Sequence, residues 1–139
     1  KADARTIHRL ADIKDPVDKL VTGPVHFAFA GWGKVDIHPT SHPSSDRDYY
    51  LLYDHLDSFE AEAWIRREKL SSSPRCFMNA GYSAGWCSVS FDVPLRAREV
   101  QCRACGDNRC RFVMAHEECL DDFVEKYQRL VDEPTGSQT

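Results

Sequence analysis

Arg98-Glu99-Val100-Gln101-Cys102-Arg103-Ala104-Cys105-Gly106-Asp107-Asn108-Arg109-Cys110-Arg111-Phe112-Val113 is the stretch on which the fold turns. Cys105-Gly106-Asp107-Asn108 is a run of turn-forming residues set between two strand-like segments. The pattern predicts an antiparallel hairpin with strands over Val93–Arg103 and Arg109–Met114. With the turn centred on Gly106, Cys102 and Cys110 lie opposite each other on one face, where opposed Cβ atoms are about 5 Å apart. Two thiolates so placed can share a tetrahedral metal with bonds of about 2.3 Å.

Upstream of the hairpin, Pro74 opens a helix. It puts Cys76 in the first turn, where the helix dipole favours a thiolate. Cys76, Ala80, Ala84 and Ser88 share one face of that helix. Gly81 and Gly85 form a neighbouring stripe, which predicts a close packing partner there. Cys76, Cys102 and Cys110 supply three sulfur ligands, and the spacing leaves the fourth open between Cys105 and Glu99. Cys105 sits in the turn and could fold back as in a C-x2-C knuckle. Glu99 stands three residues before Cys102, on the opposite face of a regular strand, and joins the others only through a bulge. Four protein ligands leave no open position, so the site reads as structural rather than catalytic. Cys87 and Cys119 read as ordinary core thiols.

Farther out, Asp57 as N-cap with Glu60 in capping-box position predicts a helix to about Glu68, followed by a Ser71-Ser72-Ser73 connector. Tyr49–His55 and Lys34–His38 read as strands, joined by a polar loop over Pro39–Asp48. Asp15-Pro16 starts a helix, Gly23-Pro24 interrupts it, and Val25–Ala30 fits helix or strand equally. Leu120, Phe123, Val124, Tyr127, Leu130 and Val131 follow the helical period, and Pro134 stops that last helix. The expected fold is α+β: an antiparallel sheet packed with helices, its metal-bound C-terminal hairpin followed by a terminal helix. Residues 1–133 are expected to form one domain and 134–139 a tail or linker. Lys1-Ala2-Asp3-Ala4-Arg5, with no initiating Met, reads as the cut edge of a longer protein.

The composition narrows the function. A chain of 139 residues suits a single domain with a core of its own. Eighteen basic against 22 acidic residues give a net charge of −4, which argues against direct contact with nucleic acid. No apolar run has the length of a membrane span and no secretory signal opens the chain, so a cytoplasmic protein is expected. The six cysteines are even in number, but their clustering suits a metal better than disulfides. No phosphate-binding glycine loop and no nucleophile–base pair at a recognisable spacing appear, so no enzymatic activity is expected. His8, His38, His42 and His116 read as surface residues, and Trp32, Trp64 and Trp86 as core.

Three segments carry a resemblance: Gly81-Tyr82-Ser83-Ala84-Gly85-Trp86-Cys87-Ser88, Arg98-Glu99-Val100-Gln101-Cys102, and Gly106-Asp107-Asn108-Arg109-Cys110-Arg111-Phe112-Val113, preceded by Ser58-Phe59-Glu60-Ala61-Glu62. Together they resemble the 4-vinyl reductase-like domain, which is also the effector-sensing domain of bacterial transcription activators responding to phenols. The resemblance is strongest from Tyr53 to Met114. It implies zinc held by Cys76, Glu99, Cys102 and Cys110, which decides the fourth ligand for Glu99 and leaves Cys105 as an extra thiol. It also implies a buried, largely apolar pocket. His26, after Gly23-Pro24, matches a ligand-contacting His of the family, and His55 stands where the family has a Trp. Tyr53 is two residues from His55 on the same strand face and is expected to line the same pocket with it, under a roof that includes Ala80. A small aromatic or hydrophobic ligand, an attached effector and a homodimer are the partners the resemblance implies. The alternative is an accessory or assembly module of tetrapyrrole or other metabolism with no ligand of its own.

Overall fold

A computed structural model describes residues 1–67 and 69–132 of the chain. Its elements are α1 (Ala2–Leu10), α2 (Pro16–Phe29), β1 (Lys34–Ile37), β2 (Tyr50–Leu56), α3 (Phe59–Ile65), α4 (Phe77–Phe91), β3 (Leu95–Gln101), β4 (Cys110–His116) and α5 (Leu120–Asp132). The four strands form one antiparallel sheet in the order β1-β2-β4-β3. β2 and β4 are central, and helices cover both of their faces. That is why Leu51 to His55 and Phe112 to Ala115 are buried without the polar alternation of a one-sided sheet.

The two faces hold separate cores. Leu51, Tyr53, Phe112 and Met114 pack with Leu20 of α2 and Ala84, Cys87 and Phe91 of α4. On the other face, Leu52, Val113 and Ala115 pack with Leu120, Val124 and Tyr127 of α5. Asp54 also faces that way and takes a two-point bond from Arg111, at 2.7 and 2.9 Å. The apolar stripe of α5 is therefore spent on its own sheet, and of its large apolar residues Leu130 and Val131 remain exposed.

Several expectations need correction. Gly23-Pro24 does not interrupt α2, and Val25 to Phe29 continue it. Helical continuity there is supported by the indole of Trp86, which lies against Gly23 so closely that a Cβ would sit 2.9 Å from the ring. The sequence reading identified no helix over residues 2–10, where α1 docks on α4 through Ala4 and His8. His8 is accordingly buried, edge-on to Trp86, and not a surface residue. Asp57 adopts positive φ and is not the N-cap of α3; Ser58 is, and its hydroxyl accepts from Ala61 N–H. Glu60, freed from the capping box, caps the neighbouring helix instead, accepting from Met78 N–H at 3.0 Å and Asn79 N–H at 2.8 Å. α4 starts at Phe77, so Cys76 is its N-cap rather than a first-turn residue. Gly81 faces open space, and Gly85 touches Lys1 alone, so no tight partner lies along that stripe. Cys119 is half-buried, outside both cores. The predicted helix end at Glu68, the stop at Pro134 and the tail lie outside the described residues.

Candidate metal centre and ligand cavity

The hairpin brings Cys102 and Cys110 together through its register. Glu99 pairs with Phe112 and Gln101 with Arg111, so one residue, Val100, is extra on β3. That bulge turns Glu99 onto the face of Cys102, which a regular strand would forbid. A short 3-10 turn at Arg103–Cys105 follows, closed by Gly106 at φ +100°, a conformation that favours glycine. Asp107 Oδ2 accepts from Cys102 N–H at 2.7 Å, and Arg103 N–H points at Cys110 Sγ at 3.5 Å.

Cys76 arrives from the start of α4. Donor atoms of Cys76, Glu99, Cys102 and Cys110 all lie within 4.8 Å of one another. Cys76 Sγ and Cys110 Sγ are 3.8 Å apart, too far for a disulfide at about 2.05 Å. It is also the edge of a tetrahedron whose metal–sulfur bonds are about 2.3 Å. Glu99 fits the same purpose. Its Oε2 accepts from Cys76 N–H at 2.9 Å, while Oε1 is buried with no hydrogen-bond partner. A carboxylate oxygen left unpaired in the interior is costly, and a cation answers it. The thiols report the same crowding: the bond to Cys110 holds the Cys76 thiol far above its ordinary value and lowers Cys110. Burial pushes Cys102 up to about 12. Three soft sulfurs and one carboxylate, closed off from solvent, form a donor set suited to a structural divalent metal. Cys105 is half-buried at the turn and is not part of the cluster.

Around the cluster stand residues the sequence reading did not single out. Ser58 Oγ is 3.2 Å from Cys76 Sγ, and Asn79 Nδ2 donates to that oxygen at 2.7 Å. Ser58 and Glu60 lie in a quoted motif, but only as a presumed capping segment. Asp107 carried a signal in its turn position, and Asn79 carried none.

One and a half turns along α4 from the cluster, Tyr82, Ser83, Trp86 and Cys87 cover a cavity of about 30 Å³. Leu20, Gly23, Pro24 and Phe27 of α2 close one side of it, and Val35, Ile37, Leu51, Tyr53 and Met114 form the floor. Its lining is almost wholly apolar. The exception is Tyr53, 1% exposed, whose hydroxyl has no hydrogen-bond partner. His55, also 1% exposed, lies beside the cavity among Tyr53, Phe27 and Phe112, with Nε2 3.4 Å from Ser83 Oγ. Burial drops its pKa to about 4, so it is neutral.

The three expected pocket residues do not converge. Tyr53 lines the cavity and His55 borders it. His26 turns away, half-buried and stacked on Trp86 and Tyr82 at ring distances of 5.3 and 6.3 Å. The reason is helical: successive residues on α2 diverge by about 100°, and Phe27 takes the inward position. Ala80 does not reach the cavity either. His26 instead borders a smaller outer pocket with Asp3, Ala30, Trp32 and Tyr82, and Tyr82 and Phe27 wall both spaces.

Residues 57–116 match the 4-vinyl reductase domain. The chain is 29% identical over 112 residues to the phenol regulator MopR of Acinetobacter guillouiae, covering 80% of this chain and 20% of that protein. It is 26% identical over 142 residues to the transcriptional regulatory protein XylR of Pseudomonas putida, covering 99% of this chain and 25% of that one. The fold is similar to the crystal structure of the phenol-responsive sensory domain of the transcription activator PoxR with phenol, at a TM-score of 0.76 and 22% identity over 96% of this chain and 66% of that chain. The chain thus spans only a fifth to a quarter of the length of these two regulators.

Proposed function

We propose that this chain, whose residues 57–116 match the 4-vinyl reductase domain, is a ligand-binding sensor domain that regulates an attached effector in response to a small aromatic or hydrophobic molecule. The observation that carries the reading is the Tyr53 hydroxyl, buried and unpaired in the wall of an otherwise apolar cavity. A ligand pocket has that composition: mostly apolar, with a few placed polar groups. The names of the relatives, a phenol regulator and a transcriptional regulatory protein, support the same class and offer no enzyme.

Cys76, Glu99, Cys102 and Cys110 hold a zinc ion in this reading, which when bound supplies a cross-link between the start of α4 and the β3–β4 hairpin. Glu60 and Glu99 reinforce that joint by accepting the free N–H groups of Cys76, Met78 and Asn79. The cavity wall moves against this fixed end. A space of about 30 Å³ is far below the roughly 150 Å³ of an engineered cavity that takes benzene. An aromatic ligand must therefore displace α2 or swing Tyr82 and Trp86. Ligand binding and α2 displacement are then the same event, which gives the differential affinity that any switch requires. A homodimer in the cytoplasm, with residues 1–133 as its sensor domain and 134–139 as linker, completes the proposal. Among the described residues no helix is long and apolar enough to cross a membrane. Exposed Val17, Val21, Val25 and Phe29 on α2 offer the dimer a surface, which sedimentation at micromolar concentration tests by showing dimer or monomer.

Calorimetry with phenol, catechol and benzoate tests the ligand. At least one should bind, and Tyr53→Phe should weaken the hydroxyl-bearing ligands about tenfold, the worth of one hydrogen bond of about 1.4 kcal/mol. Absence of binding by all three would remove the ligand reading and leave the assembly module as the better account.

A further inference from the structure

Ser58 Oγ is a junction between three elements. It accepts from Asn79 Nδ2 at 2.7 Å and from Ala61 N–H at 3.4 Å, and it lies 3.2 Å from Cys76 Sγ. A serine hydroxyl offers two lone pairs and one hydrogen. N–H donors occupy both lone pairs, so the hydrogen is left for the sulfur. We infer that Asn79 and Ser58 form a hydrogen-bond relay that delivers an O–H donor to the Cys76 thiolate, making Ser58 a positioning residue for the metal. The inference rests on the metal reading above.

The orientation of the Asn79 amide supports the relay. Asn79 and Ser58 are both fully buried, and Asn79 Oδ1 has no hydrogen-bond partner. The reversed amide would give that oxygen a partner, the Ser58 hydroxyl. It would also take the hydroxyl's hydrogen away from sulfur, and Cys76 would then have to be the donor. A metal-bound thiolate has no hydrogen to donate. The observed orientation is therefore the one a ligating Cys76 requires. The frame around it is fixed from both sides. Ser58 caps α3, and Glu60 of α3 accepts from the Met78 and Asn79 amides of α4. Cys76 uses its side chain for no helix cap, so its sulfur is directed wholly to the cluster. Outer partners of this kind set the orientation and donor strength of metal ligands.

The test uses the purified chain stripped of metal and titrated with zinc against a chromophoric chelator and, separately, with cobalt(II), whose thiolate charge-transfer band reports hydrogen bonding to sulfur. Ser58→Ala should weaken zinc roughly 10- to 100-fold and move the cobalt band to lower energy. Ser58→Thr should restore both, since it keeps the hydroxyl. Asn79→Leu should shift the band in the same direction by less, and adding it to Ser58→Ala should change nothing further, because members of one relay are not additive. A Ser58→Ala protein with wild-type affinity and band overturns the relay, as does full additivity of the two changes. Should Ser58→Ala not fold, Asn79→Leu decides alone, and an unmoved band overturns the proposal. A wild-type chain that binds neither metal overturns the metal reading instead.

Discussion

The two ends of α4 are built by opposite means. At its start, Cys76, Met78 and Asn79 are tied by hydrogen bonds to Glu99 and Glu60, and three sulfurs converge beside them. Seven residues on from Asn79, Trp86 holds the other end by shape: it fills the notch at Gly23, stacks on His26 and donates one hydrogen bond, to Lys19 O at 3.0 Å. The first end tolerates almost no displacement, because directional bonds and metal geometry fail over fractions of an ångström. The second rests on apolar contact, which is non-directional and lets α2 slide or lift at modest cost. A helix anchored rigidly at one end and held loosely at the other suits a sensor, with the cavity at the loose end.

Removing the rigid anchor should have the largest effect. Cys102→Ser or Cys110→Ser should abolish zinc binding and leave the chain largely unfolded by circular dichroism, since structural zinc contributes on the order of 10 kcal/mol. Glu99→Ala should lower zinc content and melting temperature, whereas Cys105→Ser should leave both nearly unchanged. Equal effects of the last two would return the fourth ligand to the turn. At the other end, Trp86→Ala should cost about 3–5 kcal/mol in urea unfolding while the folded protein keeps one zinc per chain. Loss of zinc in that variant would show that the two ends are not independent.

A smaller effect comes from His55, which sits between the regions. Its folded pKa is about 4 against an unfolded value near 6.5, so between those values the unfolded chain binds a proton that the folded chain does not. Stability should therefore fall as pH drops through that window, by up to roughly 3 kcal/mol at pH 4, and His55 should contribute no slope above it. Urea titrations at pH 7, 6, 5 and 4 on wild type and His55→Leu isolate the term; the variant should have the shallower dependence. The smallest change concerns Gly81, exposed in mid-helix with open space where a Cβ would go. Gly81→Ala should raise stability by up to about 1 kcal/mol. If it also blunts ligand binding, α4 itself bends between its two ends, and the contrast between a fixed and a loose end needs a hinge.

Some of this was legible in the chain alone. Turn chemistry at Cys105 to Asn108 and the spacing of Cys102 and Cys110 specify a hairpin, because both are local and depend on few residues. The period of Leu120 to Val131 specifies α5 for the same reason. Local reasoning placed the capping box at Asp57 and Glu60, and the structure gives Glu60 to another helix. Such a bond spans 18 residues of sequence, and no pattern within α3 encodes it.

What the sequence determined by itself was the element types around the hairpin and the candidate donors, since residue chemistry and short-range periodicity fix both. Tertiary structure decided which donors meet. The single-residue bulge at Val100 turned Glu99 inward and left Cys105 aside, and the rotation of α2 put Phe27, not His26, against the sheet. Each outcome depends on a rotation of one residue about a strand or helix axis. Packing against a distant partner sets that rotation, and two adjacent side chains exchange roles when it changes.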